Sequence, residues 1–167
     1  ILHGGHSGNL RIGASTTIAQ YVLPTILAKF TSKFPDIKIS LISGNSDDIE
    51  KELLNHHIDL GLIEGNKRLP NLKYTHFMDD ELVAITSTKS RYAHLDEISK
   101  EDLLTLPLVL RENGSGTLSV LNTALERIGL KISLLHVLMQ LGSSESIKLF
   151  LENADAASVI SFRCVTK

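Results

Sequence analysis

The sequence is short of cysteine, aromatic side chains and net positive charge, and each shortage excludes something. Cys164 is the one cysteine, so no internal disulfide can staple the chain. Aromatics make up only 5% of residues, and no cluster of them is shaped for a ring-bearing ligand. No apolar run reaches the length that spans a bilayer, and no cleavable signal pattern opens the chain. There are 17 Lys and Arg against 19 Asp and Glu, a formal net charge of −2, with both signs interspersed. No face therefore offers itself to nucleic-acid phosphates. The first residue is Ile rather than Met, which reads as a piece cut from a longer cytoplasmic protein.

What is present is enough apolar material for a core, 43% of residues, so one domain or two small lobes are expected rather than disorder. ILHGGHSG (1–8) is rich in Gly and His and reads as a mobile lead-in. Residues 10–14 read as a strand. Ile18, Val22, Ile26 and Phe30 then recur at helical spacing as far as Phe34, with a restart at Pro24, whose missing N–H cannot serve a helix interior. A turn at Pro35–Asp36 and a strand over 37–43 follow. The pattern repeats: a helix carrying Ile49, Leu53 and Leu54, then DLGLIEG as a short buried strand. LPNLKYTHF and DELVAITS read as two extended runs joined at Asp79–Asp80.

A second series comprises a short helix over 98–104, a strand over 107–111 and a helix from Leu118 to Ile128 stopped by Gly129. A long strand over 132–141, a helix capped by Ser143 or Ser144 and a strand over 157–162 complete it. Strand–helix–strand repetition implies right-handed crossovers and parallel sheets. The expected division is a first lobe over 9–86, a second over 87–162, and a crossing back over 163–167. Hinges are placed at Thr86, Ser87 and Thr88 and at Ser161 and Arg163.

Three strand ends carry small polar residues just before a helix: Ser15–Thr16–Thr17, Gly44–Asn45–Ser46, and Asn113–Gly114–Ser115–Gly116–Thr117. Each can cap its helix. Each can also present hydroxyls and N–H groups to a small anion at the positive helix end, on the sheet edge where open α/β folds bind ligands. The first has more hydroxyls than one cap needs. The second is followed by Asp47 and Asp48, which repel an anion, and the third has two glycines that let a ligand approach the backbone.

Other constellations read more plainly. His3 and His6 lack the further ligands a zinc site needs. His56 and His57 sit near the end of the second helix, where a cation meets the negative dipole end. Ser115 is outside a nucleophile elbow and has no paired His and acid, so no catalysis is expected. Arg111 and Glu112 read as a surface pair or gate, and Cys164 as a packed, inert thiol. Neither a cofactor nor a metal is expected.

LRIGASTTIAQYVLPTILAKFTSKFPDIKISLISGNSDDIEKELLNHHIDLGLIEG resembles the opening of the effector-binding domain of LysR-type transcriptional regulators, and DDELVAITS, LPLVLRENGSGT and LGSSESIKLFLENADAASVIS fit that family in order. The likeness runs from about Gly8 to Ser161. It implies a two-lobe, periplasmic-binding-protein-like (type 2) α/β fold with parallel-rich sheets flanked by helices. It also implies a small effector held between the lobes by Ser15, Thr16, Thr17, Asn45, Ser46, Ile63, Glu64, Gly114, Ser115, Gly116 and Thr117. A homodimer through the helices over 18–34 and 118–128 is implied as well, with DNA bound only through an N-terminal helix-turn-helix and no membrane contact. Three departures from the family are visible: no helix-turn-helix precedes this stretch, the chain stops at Lys167, and Asn153–Ala154–Asp155–Ala156–Ala157 stands where a Gly-rich turn is usual. A transporter's solute-binding protein and an enzyme on the same fold are the rival readings.

Overall fold

The computed structural model describes residues 7–165, so His3 and His6 lie outside the described residues. Two sheets organise the chain. The first has the order β2–β1–β3, formed by β1 (Gly8–Ser15), β2 (Ile37–Gly44) and β3 (Leu60–Leu62), all parallel. The second has the order β4–β7–β5–β6, formed by β4 (Leu82–Thr86), β5 (Leu108–Arg111), β6 (Val137–Leu141) and β7 (Ala157–Ser161). β5 runs parallel to both neighbours, whereas β4 runs antiparallel to β7.

In the first lobe, β1 feeds a π-helical turn over Ile18–Val22 and then α1 (Leu23–Lys33). Pro24 explains the change of pitch: in the first turn of α1 its missing N–H costs nothing, whereas a continuous α-helix from Ile18 would need it. Ile12, Ala14, Ile18, Val22 and Leu23 form the core here. α2 (Ser46–Leu54) lays Ile49 over the sheet so closely that a Cβ on Gly13 would stand 3.2 Å from the Ile49 Cδ1 and 2.6 Å from the Ile58 Cδ1. Gly13 is small because these two side chains occupy its space.

In the second lobe β5 is buried on both faces, which is why LVL (108–110) reads as an unbroken apolar run rather than an alternation. Leu108 and Leu110 face α4 (Gly116–Arg127) with Leu118, Leu121 and Leu125. Val109 faces α5 (Ser144–Leu151) with Ile147, Leu151, Ile160 and Cys164. α3 (Lys100–Thr105) is short and held by a capping box between Ser99 and Asp102. Gly129 takes φ +75° at the end of α4, the left-handed stop that the sequence announces.

Several expectations need correction. The lobe boundary expected at residue 86 is overturned by β4, which belongs to the second sheet: Leu82 pairs with Ser161 and Thr86 with Ala157. The chain therefore crosses between lobes just before Leu82. There Phe162 donates to the Glu81 carbonyl (2.8 Å), and Arg163 donates to the Asp79 carbonyl (2.9 Å) while pairing with Asp80 (3.6 Å). Ser161 ends β7 and Arg163 follows it beside 79–81, whereas Thr86, Ser87 and Thr88, also expected as hinge, sit at the far end of β4, where the Thr86 hydroxyl donates to the Ala156 carbonyl (2.7 Å). LPNLKYTHF pairs with no strand, and 132–141 divides into a 3₁₀ turn (Ile132–Leu134) and β6, because Leu135 turns into the core between them. Residue 8 of the lead-in already belongs to β1. The 153–157 turn works without glycine, since Asp155 accepts from the Ser90 hydroxyl (2.6 Å), the Arg91 backbone N–H (3.1 Å) and the Arg91 guanidinium.

Candidate functional site

All three polar strand ends meet where the lobes face each other, each doing first what a cap must do. The Ser15 hydroxyl accepts from Ile18 N–H at 3.5 Å. Asn45 Oδ1 accepts from Asp48 N–H at 2.9 Å, and Ser115 Oγ from Leu118 N–H at 3.4 Å. Ser46 is spent on its own lobe, donating to the Glu64 carbonyl (3.0 Å) and accepting from the Glu64 N–H (3.3 Å). The second and third strand ends then join across the lobes: Asp47 N–H donates to the Gly114 carbonyl at 3.2 Å, and Asn45 Nδ2 to the Asn113 carbonyl at 3.5 Å. Gly116 presses so tightly on the first lobe that a Cβ there would lie 2.4 Å from the Glu64 carbonyl oxygen.

A cavity of about 420 Å³ opens beside this seam, lined among others by Ser46, Ile63, Glu64, Gly114, Ser115 and Gly116. A larger groove of about 640 Å³ also borders Glu64 and takes in Thr17, Ile63, Thr117, Asp80 and Arg163. Thr17 and Thr117, from opposite lobes, thus share one hollow.

Sequence reasoning missed the strongest charge in the interface. Arg111, expected with Glu112 as a surface pair or gate, is 2% exposed, because it ends a strand buried on both faces. Glu112 grips it twice, accepting from Nε at 2.8 Å and Nη2 at 3.0 Å. Nη2 also donates across the lobes to the Thr16 hydroxyl at 3.1 Å, while Nη1 is buried with no hydrogen-bond partner. The hydroxyls of Thr17, Thr117 and Ser144 are equally buried and make no hydrogen bond of good geometry, although those of Thr17 and Ser144 lie against the Cys164 thiol. The signal was present in PLVLR: an arginine closing an apolar parallel strand points at the sheet's ligand edge. Ser144, missed as well, sits beside the cap Ser143, which receives Ser146 N–H at 3.1 Å.

Electrostatically, burial pushes the Glu64 carboxyl above its ordinary value; Arg111 pulls it down, Asp80 pushes it up, and the Thr17 and Ser15 hydroxyls pull it down. Those hydroxyls lie against the carboxyl, yet Thr17 Oγ1 makes no hydrogen bond of good geometry. The Cys164 thiol is fully buried and pushed up by burial, and neighbours Ser144, Glu64 and Thr17. That is the setting of an inert thiol. His57 accompanies Glu52 (2.9 Å) just beyond α2. Among the described residues no group of three or more His, Cys, Asp and Glu could hold a metal, and no helix is long and apolar enough to cross a membrane.

Similarity to known proteins fits this geometry. The family model of the LysR substrate binding domain matches residues 3–167. The HTH-type transcriptional regulator YeiE of Escherichia coli is 32% identical over 159 residues, 95% of this chain and 53% of that protein. CysL of Bacillus subtilis is 32% identical over 154 residues, 92% and 50% respectively. The chain thus spans about half the length of these relatives, which are regulators rather than transporter subunits. Among solved structures, the Synechocystis CcmR regulatory domain in complex with 2-PG superposes with a TM-score of 0.84 at 28% identity, covering 96% of this chain and 76% of that one. The effector-binding domain of QuiR in complex with shikimate gives 0.83 at 18% identity, covering 93% and 74%, and shares the fold.

Proposed function

Starting from the fact that this chain belongs to the LysR substrate-binding domain family, we propose that it senses a small anionic molecule held between its two lobes, where Arg111 and the hydroxyls of Ser15, Thr16, Thr17, Thr117 and Ser144 converge. The observation that carries this reading is the set of buried polar atoms from both lobes that make no hydrogen bond of good geometry: Arg111 Nη1 and the hydroxyls of Thr17, Thr117 and Ser144. Such groups cost on the order of 1–3 kcal/mol each when left unmade. Four of them at one interface are supported best by a ligand whose oxygens satisfy them. Asn45, Ser46, Gly114, Ser115 and Gly116 then act mainly as the frame that brings the lobes together, and Ile63 and Glu64 border the ligand.

A ligand that bridges the lobes favours one arrangement of them and shifts the population toward it. In the whole protein this would re-space DNA-binding heads on their half-sites, through a homodimer that uses α1 and α4. Half-exposed Ile26 on α1 and Ile128 after α4 are apolar positions such a contact would cover. The hinge belongs at 79–81 and 161–163. No catalytic step is assigned, since the Ser115 hydroxyl is committed to its cap.

The test is a thermal-shift screen of small carboxylates and phosphorylated carboxylates, including 2-PG, on the protein and on its Arg111→Met variant. A hit lost in the variant supports the reading. A hit that stabilises both equally removes Arg111, and with it the anion site.

A further inference from the structure

We propose that Tyr21 is a positioning residue of the anion site: its ring, seated in the second lobe, holds the first helical turn so that Thr16 and Thr17 stand opposite Arg111 and Thr117. This rests on the anion reading above and adds to it a residue that acts without touching the ligand.

The turn that follows Thr17 presents two faces. Ile18 and Val22, four residues apart, are buried with Leu23 in the first-lobe core. Thr17 and Tyr21 repeat that spacing one position earlier and so share the neighbouring face. The turn is π-helical over Ile18–Val22, and the Leu23 N–H closes it onto the Ile18 carbonyl. A single turn of this kind is rare, recurs at functional sites, and is set apart from the rest of α1 by Pro24. What packs against it therefore decides where it sits.

Tyr21 leaves its own lobe. It packs against the second-lobe cluster of Val109, Ile147, Leu151, Ala156, Ile160 and Cys164. Lys148 Nζ stands 5.3 Å from the centre of the ring, fixed there by donating to the Cys164 carbonyl at 2.9 Å and by pairing with Glu145 at 2.7 Å. A cation over the ring adds attraction to the apolar contact. Val109 precedes Arg111 by two residues in β5, so both side chains leave the same face of the strand. Tyr21 thus docks on the face from which Arg111 reaches Thr16 at 3.1 Å. Ile18, Ala19 and Val22 pack in the first lobe and Gln20 is exposed, leaving Tyr21 to fix the turn against the second. Without the ring, the turn keeps its first-lobe packing but loses its alignment with Arg111, and a hydrogen bond weakens steeply once its angle is wrong.

Calorimetric titration with sulfate tests this on the unaltered protein, Tyr21→Phe, Tyr21→Leu, Phe150→Leu and Arg111→Met. Phe150 packs against the same cluster from α5 itself, so its variant controls for a loosened core. Tyr21→Phe keeps the ring and should bind as the unaltered protein does. Tyr21→Leu should raise the Kd about tenfold, the worth of one well-made hydrogen bond. Phe150→Leu should lower the melting temperature and leave the Kd alone. An unchanged Kd in Tyr21→Leu, or an equal rise in Tyr21→Phe or Phe150→Leu, overturns the proposal.

Urea unfolding supplies a comparison that needs no ligand. Thr16→Val should shift the midpoint in the unaltered protein and leave it unmoved in the Tyr21→Leu background, a departure from the additivity of independent sites. Equal shifts in both backgrounds overturn the positioning role. Sulfate binding that is absent, or indifferent to Arg111→Met, overturns the anion reading instead, and the urea comparison still decides whether Tyr21 places Thr16. Should Tyr21→Leu fail to fold, Tyr21→Met, an apolar side chain of adaptable shape without the ring, replaces it under the same criteria.

Discussion

Arg111 and Thr16 stand 95 residues apart and are joined by a 3.1 Å hydrogen bond across the lobe interface. The bond places a buried guanidinium against the first hydroxyl-rich strand end, and it links the two halves of the site through one side chain. On the anion reading proposed above, lobe contact and ligand contact are the same chemistry, so changing one changes the other.

Replacing Arg111 by Met removes the Thr16 contact and strips Glu112 of its partner. Loss of one member of a buried pair costs about 3–5 kcal/mol. Glu112 retains 26% exposure of its side chain and can hydrate, so the expected loss falls below that range, at roughly 2 kcal/mol. Urea unfolding monitored by circular dichroism measures it.

Gly116→Ala should destabilise by about 1–3 kcal/mol, the cost of overpacking, because the new methyl would meet the Glu64 backbone, with the carbonyl oxygen at 2.4 Å and the carbon at 2.6 Å. Backbone cannot step aside as a side-chain tip can. Gly142→Ala is the matched control: nothing lies within 4 Å of its Cβ position, and its effect should stay within about 0.5 kcal/mol. Melting curves of the two variants give the comparison.

Stability should fall at both ends of the pH range for different reasons. The carboxylates of Asp59, Asp102 and Asp155 lie below their ordinary 3.8, held first by hydrogen bonds from Arg11, Ser99 and Ser90 respectively. What they contribute is present above that value and is lost as pH drops through their lowered folded values. Glu64 acts oppositely. Its folded value is raised, so its contribution is intact below 4.5 and is lost as pH climbs through the folded value. Glu64→Gln should flatten the decline on the neutral side while leaving the acid limb unchanged, as read by chemical denaturation across pH.

Arg163→Ala should loosen the crossing, because its guanidinium holds the Asp79 carbonyl at 2.9 Å and pairs with Asp80. A charge-assisted bond is worth about 1.5–3 kcal/mol, enough to speed local opening by roughly tenfold or more. Hydrogen exchange at 79–82 reports it. Ser87→Gly and Thr88→Gly, at the other end of β4, should leave that exchange unchanged.

The sequence by itself determined the elements and their order. Apolar periodicity marked β1, β2, α2, β5 and α4; Pro24 marked the break before α1, and Gly129 the end of α4. It also singled out the hydroxyl- and glycine-bearing strand ends, since capping chemistry is local and written in consecutive residues. Only the tertiary structure decided sheet membership and burial. β4 joined the second sheet because its partner, β7, is some 70 residues further along the chain, and no local pattern encodes that pairing. Arg111 became the buried cation of the interface, and Gly116 a contact that cannot carry a side chain, for the same reason. Glu112 beside Arg111 could be read from the chain, but Thr16, which bonds Arg111, and the Glu64 loop, which presses on Gly116, arrive from the opposite lobe.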